Sequence, residues 1–213
     1  MEKIIIGIIG LGTVGSGVVK TLQNFKDTVE IKRIAVRNLN KKRNIDDLDE
    51  SILTDNPTEI VKDKDIDIVV EVMGGVNPAF DLLKQAIENG KHIVTANKEL
   101  LAKHGEELFK LAKEKNTVIM YEAAIAGGIP IIMPVKTILK GNKINKINAI
   151  LNGTTNYILT KMDEDGAPYE KVLKEAQELG YAERNPSADV DGFDACRKIC
   201  ILSSLAFVSK FVI

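Results

Sequence analysis

The spacing Gly10-x-Gly12-x-x-Gly15, set directly behind the β-branched run Lys3–Ile9, restricts this 213-residue chain more than any other feature. A strand, a tight turn and a helix start follow from it in that order. Gly10 permits the turn, Gly12 lets a bulky anion approach the main chain, and Gly15 allows a helix to lie close on the strand. The first helical N–H groups and the positive end of the helix dipole then face the anion. In that context the pattern predicts a dinucleotide pyrophosphate on the turn. Glycines in a βα turn can also serve structure alone, so the remaining chain has to supply the setting.

It supplies an alternation of strands and amphipathic helices. Helix Thr13–Gln23 carries Val14, Val18 and Leu22 on one face, and strand Val29–Val36 follows. Residues 44–64 are polar and read as a short helix and a loop. A buried strand from Asp65 to Glu71 ends at Gly74-Gly75, and then come helix Pro78–Glu88, strand His92–Thr95, helix Glu99–Lys113 and strand Thr117–Tyr121. This order predicts an α/β fold with a doubly wound parallel sheet. Ligands of such sheets lie beyond the carboxyl ends of the strands, where Gly74-Gly75 and Asn97-Lys98 fall.

At the end of the second strand, an acidic residue would hold a ribose 2′-hydroxyl. This chain has Arg37 there, with Lys41, Lys42 and Arg43 just beyond. Basic residues suit a 2′-phosphate, so NADP is expected in preference to NAD. Taken alone, Lys41–Arg43 reads nearly as well as a solvated loop.

After Tyr121 the texture changes. A small-residue loop, Glu122–Pro130, leads to a helix over Ile131–Leu139 and a half-buried strand over Lys143–Leu151. Asn152-Gly-Thr-Thr-Asn156 starts a further helix, and Tyr169–Leu179 forms another. The domain boundary is expected within 123–130, giving domains 1–126 and 127–213.

Composition narrows the function classes. Apolar residues make up 45% and charged residues 28%, which is ordinary for a globular protein. A formal charge of −1 gives no case for nucleic acid or an acidic membrane surface as partner. No apolar run has transmembrane length, and Ile4–Ile9 is too short for the core of a signal peptide, so a cytoplasmic protein is expected. Cys196 and Cys200, four apart in one helix, read as reduced core thiols rather than a zinc site.

The second informative block runs from Gly180-Tyr-Ala-Glu183 through Asp189, Asp191 and Asp194 to Arg197-Lys198. With Asp191 as helix N-cap, Asp194 and Lys198 fall at i and i+4 and share a face. Alone, that pair reads as a surface salt bridge worth about 0.5 kcal/mol. Four carboxylates and two cations just before the apolar stretch Ile199–Val208 read instead as a place for perturbed ionisation, able to hold an ammonium and protonate a carbonyl oxygen. Several other residues take a bland reading: His92 and His104 lack ligand partners, Tyr157 and Tyr181 read as packing residues, and Glu71 could face the cofactor pocket or cap the turn before Gly74.

Five motifs in order give the chain a resemblance. They are the Gly10–Gly15 turn, Thr95-Ala-Asn-Lys98, Tyr121-Glu-Ala with Gly127-Gly128-Ile-Pro130, Asn152-Gly-Thr-Thr-Asn156, and Glu183 through Lys198. The chain resembles homoserine dehydrogenase over essentially its whole length. The resemblance implies reversible reduction of L-aspartate 4-semialdehyde to L-homoserine with NADP(H), or NAD(H), in threonine, methionine and isoleucine biosynthesis. It implies Lys198 as proton donor, Lys98 as its partner, Asp189 as support for the lysine, and Glu183 and Asp194 as ligands of the substrate amino group. Gly10, Gly12, Thr13, Val14, Gly15, Arg37 and Lys98 are the implied cofactor contacts. The family also carries a cation, usually sodium, on the loop matching Glu122, Ile125, Gly127 and Ile129, held mainly by backbone oxygens, and its members are homodimers.

The implied fold is a Rossmann-type doubly wound sheet followed by an α+β substrate and dimerisation domain. Family members continue well past the helix of Lys198, whereas this sequence stops at an apolar stretch, Ser204–Ile213. The second domain is therefore expected to be incomplete at its C-terminus. Three competing readings stand beside the leading one. One is another amino-acid or semialdehyde dehydrogenase of the same plan, although Cys196 and Cys200, deep in a helix, argue against a cysteine nucleophile. The others are an impaired NADP(H)-binding fragment and a regulator of the same family.

Overall fold

The first turn forms as the glycines demand. In a computed structural model, which describes residues 2–207, β1 (Ile4–Ile9) runs into α1 (Thr13–Leu22). Ile6, Ile8 and Ile9 are buried, each contributing about 1.5–3 kcal/mol through removal from water. The chain divides into two units, Met1–Gly128 and Ile129–Ile213.

The first unit continues through β2 (Val29–Ala35), β3 (Leu53–Thr54), α2 (Pro57–Lys62), β4 (Ile68–Glu71), α3 (Ala79–Glu88), β5 (His92–Thr95), α4 (Lys98–Glu114) and β6 (Ile119–Met120). The strands pair in the order β3-β2-β1-β4-β5-β6, and every pair is parallel. Strand order therefore reverses between β1 and β4, which opens a crevice at their carboxyl ends. Two chain-spanning polar contacts set the loops below the sheet. Asp67 accepts from the Ile5 amide at 2.8 Å, and the buried Lys91 ammonium donates to the carbonyls of Asp63 and Ile66. Burial lowers the Lys91 pKa, against the pull of Asp63.

The second unit is helical: α5 (Ile132–Lys136), α6 (Gly153–Asp165), α7 (Tyr169–Glu178), α8 (Ser187–Val190) and α9 (Phe193–Ala206). Ile158, Val172, Ala176 and Ala182 form one of its apolar clusters. Tyr157 and Tyr181 pack edge to face at 5.1 Å, and the Tyr157 hydroxyl donates to Glu175. No helix among the described residues is long and apolar enough to cross a membrane.

Four expectations need correction. The strand expected over Lys143–Leu151 is irregular chain, without ladder partners among the described residues. A strand requires a neighbouring backbone to hydrogen-bond, and the described residues of this unit contain no other strand. The α5 helix is shorter than Ile131–Leu139: its last ladder bond runs from the Thr137 amide to the Met133 carbonyl at 2.9 Å, and the Leu139 amide then reaches back five residues, to the Pro134 carbonyl. The N-cap of α9 is Gly192 rather than Asp191. The chain needs a left-handed residue there (φ +80°) to turn out of α8, while Asp191 accepts from the Ser187 hydroxyl. Finally, the cysteines are not core residues: Cys196 is exposed and Cys200 half-buried, and both are thiols. The face of α9 that is buried carries Asp194, Ile201 and Leu202 instead. Burial and the neighbouring Cys196 thiol raise the Cys200 pKa. The end of the expected apolar stretch, from residue 208 on, lies outside the described residues.

Candidate active site

The glycine turn divides its work as its spacing requires. Gly10 has φ +107°, and a Cβ on it would meet the Val72 backbone at 2.8 Å. A Cβ on Gly15 would meet the Gly10 carbonyl oxygen at 2.2 Å, so only glycine lets α1 lie this close to the strand. A Cβ on Gly12 would meet nothing within 4 Å. Gly12 faces open space, and it is also the N-cap of α1, with no side chain capping the helix. The first N–H groups of a ten-residue helix thus face a space open to a bound anion.

A cleft of about 270 Å³ opens there, at the β1/β4 switch. Ile9, Gly10, Gly12, Arg37, Val72 and Met73 are among its walls. Arg37 is exposed on its rim, as a 2′-phosphate ligand would be. Lys41 and Arg43 also line the cleft, whereas Lys42 is not part of its lining. Arg43 braces its own loop, since its guanidinium donates to the carbonyls of Asn38, Leu39 and Lys41, at 2.6, 3.3 and 2.8 Å. The polar cradle and the open Gly12 fit a dinucleotide.

Beside the cleft, Glu71 organises the second glycine turn. It is fully buried and accepts from the amides of Met73 (3.0 Å) and Gly74 (3.3 Å) and from the Thr95 hydroxyl (2.6 Å). Asn97 donates from Nδ2 to the Gly75 carbonyl (2.6 Å), while its Oδ1 caps α4 at Leu100. Lys98 is therefore placed at the first position of α4 by a carboxylate, a hydroxyl and an amide. A cation there opposes the helix dipole. The capping reading of Glu71 holds. Its links to Thr95 and Asn97 were missed, since nothing local in sequence ties residues 24 and 26 positions apart.

Tyr121 opens the loop expected to hold sodium. Its ring lies 5.1 Å from that of Phe109, and burial, helped by Glu122, pushes its pKa up to about 12. The phenol should stay protonated in the folded chain when an unfolded tyrosine, near pKa 10, has ionised. Its contribution to stability is then present below about pH 10 and lost as pH rises towards 12. Ultraviolet titration should show a late-ionising component that Tyr121→Phe removes; a Tyr121→Phe titration curve differing only by an ordinary tyrosine would sink the assignment. Glu122 opens a 3₁₀ turn, and its carbonyl accepts from the Ile125 amide at 3.4 Å. Gly127 has φ +58°; Ile129 belongs to the second unit. No cluster of three or more His, Cys, Asp or Glu is placed to hold a metal among the described residues.

In the second unit, the Asp194–Lys198 pair is not on the surface. Lys198 Nζ lies 2.7 Å from Asp194 Oδ2, and the two side chains are only 14% and 7% exposed. That burial replaces the weak surface ion pair with one whose partners cannot be separated cheaply. Lys198 Nζ also donates to the Leu151 carbonyl at 2.7 Å. Asp189, on α8, is joined to Asp194 through Asn152, whose Nδ2 donates to both, at 2.7 and 2.9 Å. Glu183 is exposed and, among the described residues, outside this network; its backbone carbonyl accepts from Gln177. The arrangement offers a largely buried ammonium held by a carboxylate and a carbonyl, with its third N–H not engaged among the described residues: a group able to bind and protonate an oxygen that gains negative charge.

Comparison with known proteins matches both units. A family model described as homoserine dehydrogenase, NAD binding domain, matches residues 10–122, and one described as homoserine dehydrogenase matches residues 130–212. A homoserine dehydrogenase of Synechocystis sp. is 51% identical over 208 residues, covering 95% of this chain and 48% of that protein. The crystal structure of a homoserine dehydrogenase from Thiobacillus denitrificans superposes with a TM-score of 0.90 at 46% identity, covering 99% of this chain and 50% of that one. A hyperthermophilic archaeal homoserine dehydrogenase, solved in complex with NADPH, gives a TM-score of 0.87 at 30% identity, covering 98% and 71%. The chain spans about half the length of the curated relatives it matches.

Proposed function

The chain belongs to the homoserine dehydrogenase family, and from that premise we propose that it catalyses reversible NADP(H)-dependent interconversion of L-aspartate 4-semialdehyde and L-homoserine. The observation that carries the reading is the largely buried Lys198 ammonium, held by Asp194 and the Leu151 carbonyl. A nicotinamide cofactor, when bound, supplies or takes the hydride at the carbon. As the aldehyde oxygen gains negative charge, Lys198 stabilises it and delivers the proton; in the reverse direction it accepts the hydroxyl proton. Asp189 and Asp194 keep Lys198 in place, Glu183 and Asp194 take the substrate ammonium, and Lys98 is the second cation of the reading. Residues 1–126 are assigned to the cofactor and 127–213 to the substrate.

Gly10, Gly12, Thr13, Val14 and Gly15 would hold the pyrophosphate on their amides and on the open side of the turn. Arg37 would select the 2′-phosphate. Sodium on the carbonyls of Glu122, Ile125, Gly127 and Ile129, a homodimer and residence in the cytoplasm belong to the same reading and rest on the resemblance. Homoserine-dependent reduction of NADP, run in parallel with NAD on the purified chain, is the test. Arg37→Ala should raise the KM for NADP about 10- to 100-fold, the worth of a charge-assisted phosphate bond, and barely touch NAD. An unchanged NADP/NAD ratio would remove Arg37 from the site.

A second reading has its own observation. Because the chain spans about half of its curated relatives, it could hold NADP(H) without turnover. Clear cofactor binding with no homoserine oxidation would establish that reading instead.

A further inference from the structure

We propose that Asn152 positions Lys198 for proton transfer, through the juxtaposition of its side-chain amide with Asp189 and Asp194, a role separate from capping α6. The proposal rests on the assignment of Lys198 given above. Asn152 is 7% exposed, and every polar atom of its side chain is committed. Oδ1 accepts from the Thr155 amide at 2.8 Å and from the Thr155 hydroxyl at 2.9 Å. Nδ2 donates to Asp189 Oδ1 at 2.7 Å and Asp194 Oδ2 at 2.9 Å.

These bonds fix the amide in one orientation. Turned over, it would aim its oxygen at two carboxylates and an N–H group at the Thr155 amide, three repulsive contacts that the adaptable Thr155 hydroxyl could not offset. The helix end therefore holds the amide, and the amide in turn holds two carboxylates that would otherwise repel each other. Asp194 Oδ2 is the shared atom: it accepts from Asn152 and also pairs with Lys198 Nζ, at 2.7 Å. The residue just before Asn152 contributes as well, since the Leu151 carbonyl accepts from Lys198 Nζ. Residues 151 and 152 thus fix the ammonium from two sides, one directly and one through Asp194. Capping alone needs only Oδ1. Serine and aspartate cap helices about as well as asparagine, but neither carries an N–H to place between Asp189 and Asp194.

That difference gives the experiment. Asn152→Ser and Asn152→Asp are made in the full chain, and three quantities are read: thermal unfolding, homoserine-dependent turnover split into kcat and KM, and the side-chain ammonium resonance of Lys198. The resonance is seen in lysine-15N-labelled protein and assigned by its loss in Lys198→Arg. A doubly bonded, buried ammonium exchanges slowly and gives a protected signal. Asn152→Ser should melt close to the parent and Asn152→Asp earlier, and both should lose kcat by about 100-fold as befits a displaced general acid and lose the protected signal. Aspartate should be the worse of the two, because it adds a third carboxylate to the pair.

Retention of the signal in Asn152→Ser overturns the proposal, whatever happens to turnover. So does early melting of both cap-preserving variants, which would assign Asn152 to architecture alone. If the parent chain shows no turnover, the reading of function fails by itself. The ammonium resonance then still decides whether Asn152 holds Lys198.

Discussion

Lys198→Ala should lower homoserine-dependent turnover by about 10²- to 10⁴-fold, the range expected for loss of a positioned general acid. Affinity for NADP, whose expected contacts belong to the other unit, should be unchanged by fluorescence titration. The expectation follows from how the ammonium is bonded. One N–H goes to Asp194 Oδ2 and one to the Leu151 carbonyl; among the described residues the third is not engaged, and the reading gives it to a substrate oxygen. Lys198→Arg separates two contributions. It keeps the positive charge but cannot give up a proton near neutrality, so it should retain part of the electrostatic effect and little of the proton transfer. Alanine also strands Asp194, whose side chain is 7% exposed. Removing one partner of a buried pair costs on the order of 3–5 kcal/mol, moderated here because Asn152 still donates to the same carboxylate oxygen. Thermal melts must therefore accompany the rates, and Lys198→Met, which preserves the stem, serves as the neutral control. Parent-like turnover in a folded Lys198→Ala chain would remove Lys198 from the chemistry.

The nucleotide turn was legible because each of its glycines answers a steric demand confined to a few residues. Gly10 needs φ +107°, Gly15 leaves 2.2 Å for an absent Cβ, and Gly12 faces open space. Parallel strands were legible for a similar reason: continuous apolar runs such as Ile68–Val70 between amphipathic helices can be buried in few other ways. The i, i+4 spacing of Asp194 and Lys198 was equally readable, but its burial was not. Burial depends on Asn152 and Asp189, which lie 42 and 5 positions from Asp194 in sequence and meet it only after folding. Strand Lys143–Leu151 failed for the converse reason. Alternation reports a side-chain pattern, whereas a strand needs a hydrogen-bonded neighbour, and none is formed among the described residues of that unit. Asp191 misled because acidic residues cap helices well, but the geometry between α8 and α9 requires the left-handed Gly192 instead. Short-range stereochemistry was visible, and long-range polar satisfaction was not.

The same distinction makes Glu71→Ala the most damaging change expected in the first unit. Glu71 is 0% exposed and joins the end of β4, the turn through Gly74, the end of β5 and the start of α4. Truncation would leave the Met73 and Gly74 amides and the Thr95 hydroxyl without their acceptor. Each buried group so orphaned costs about 1–3 kcal/mol, and water entering the space vacated by the carboxylate would recover part of it. A net loss of about 3–4 kcal/mol is expected, roughly 10 °C in melting temperature for a domain of this size. Glu71→Gln keeps the volume and can still accept from the two amides through its oxygen, while its NH₂ can donate to the second lone pair of the Thr95 hydroxyl. It should therefore cost about a third as much. Because Met73 lines the cofactor cleft, Glu71→Gln should also weaken NADP binding several-fold at temperatures where the fold is intact. If Glu71→Gln binds NADP like the parent but melts early, Glu71 is confined to holding β4, β5 and α4 together. If binding falls without a change in melting, its principal role is to shape the turn that the cofactor meets.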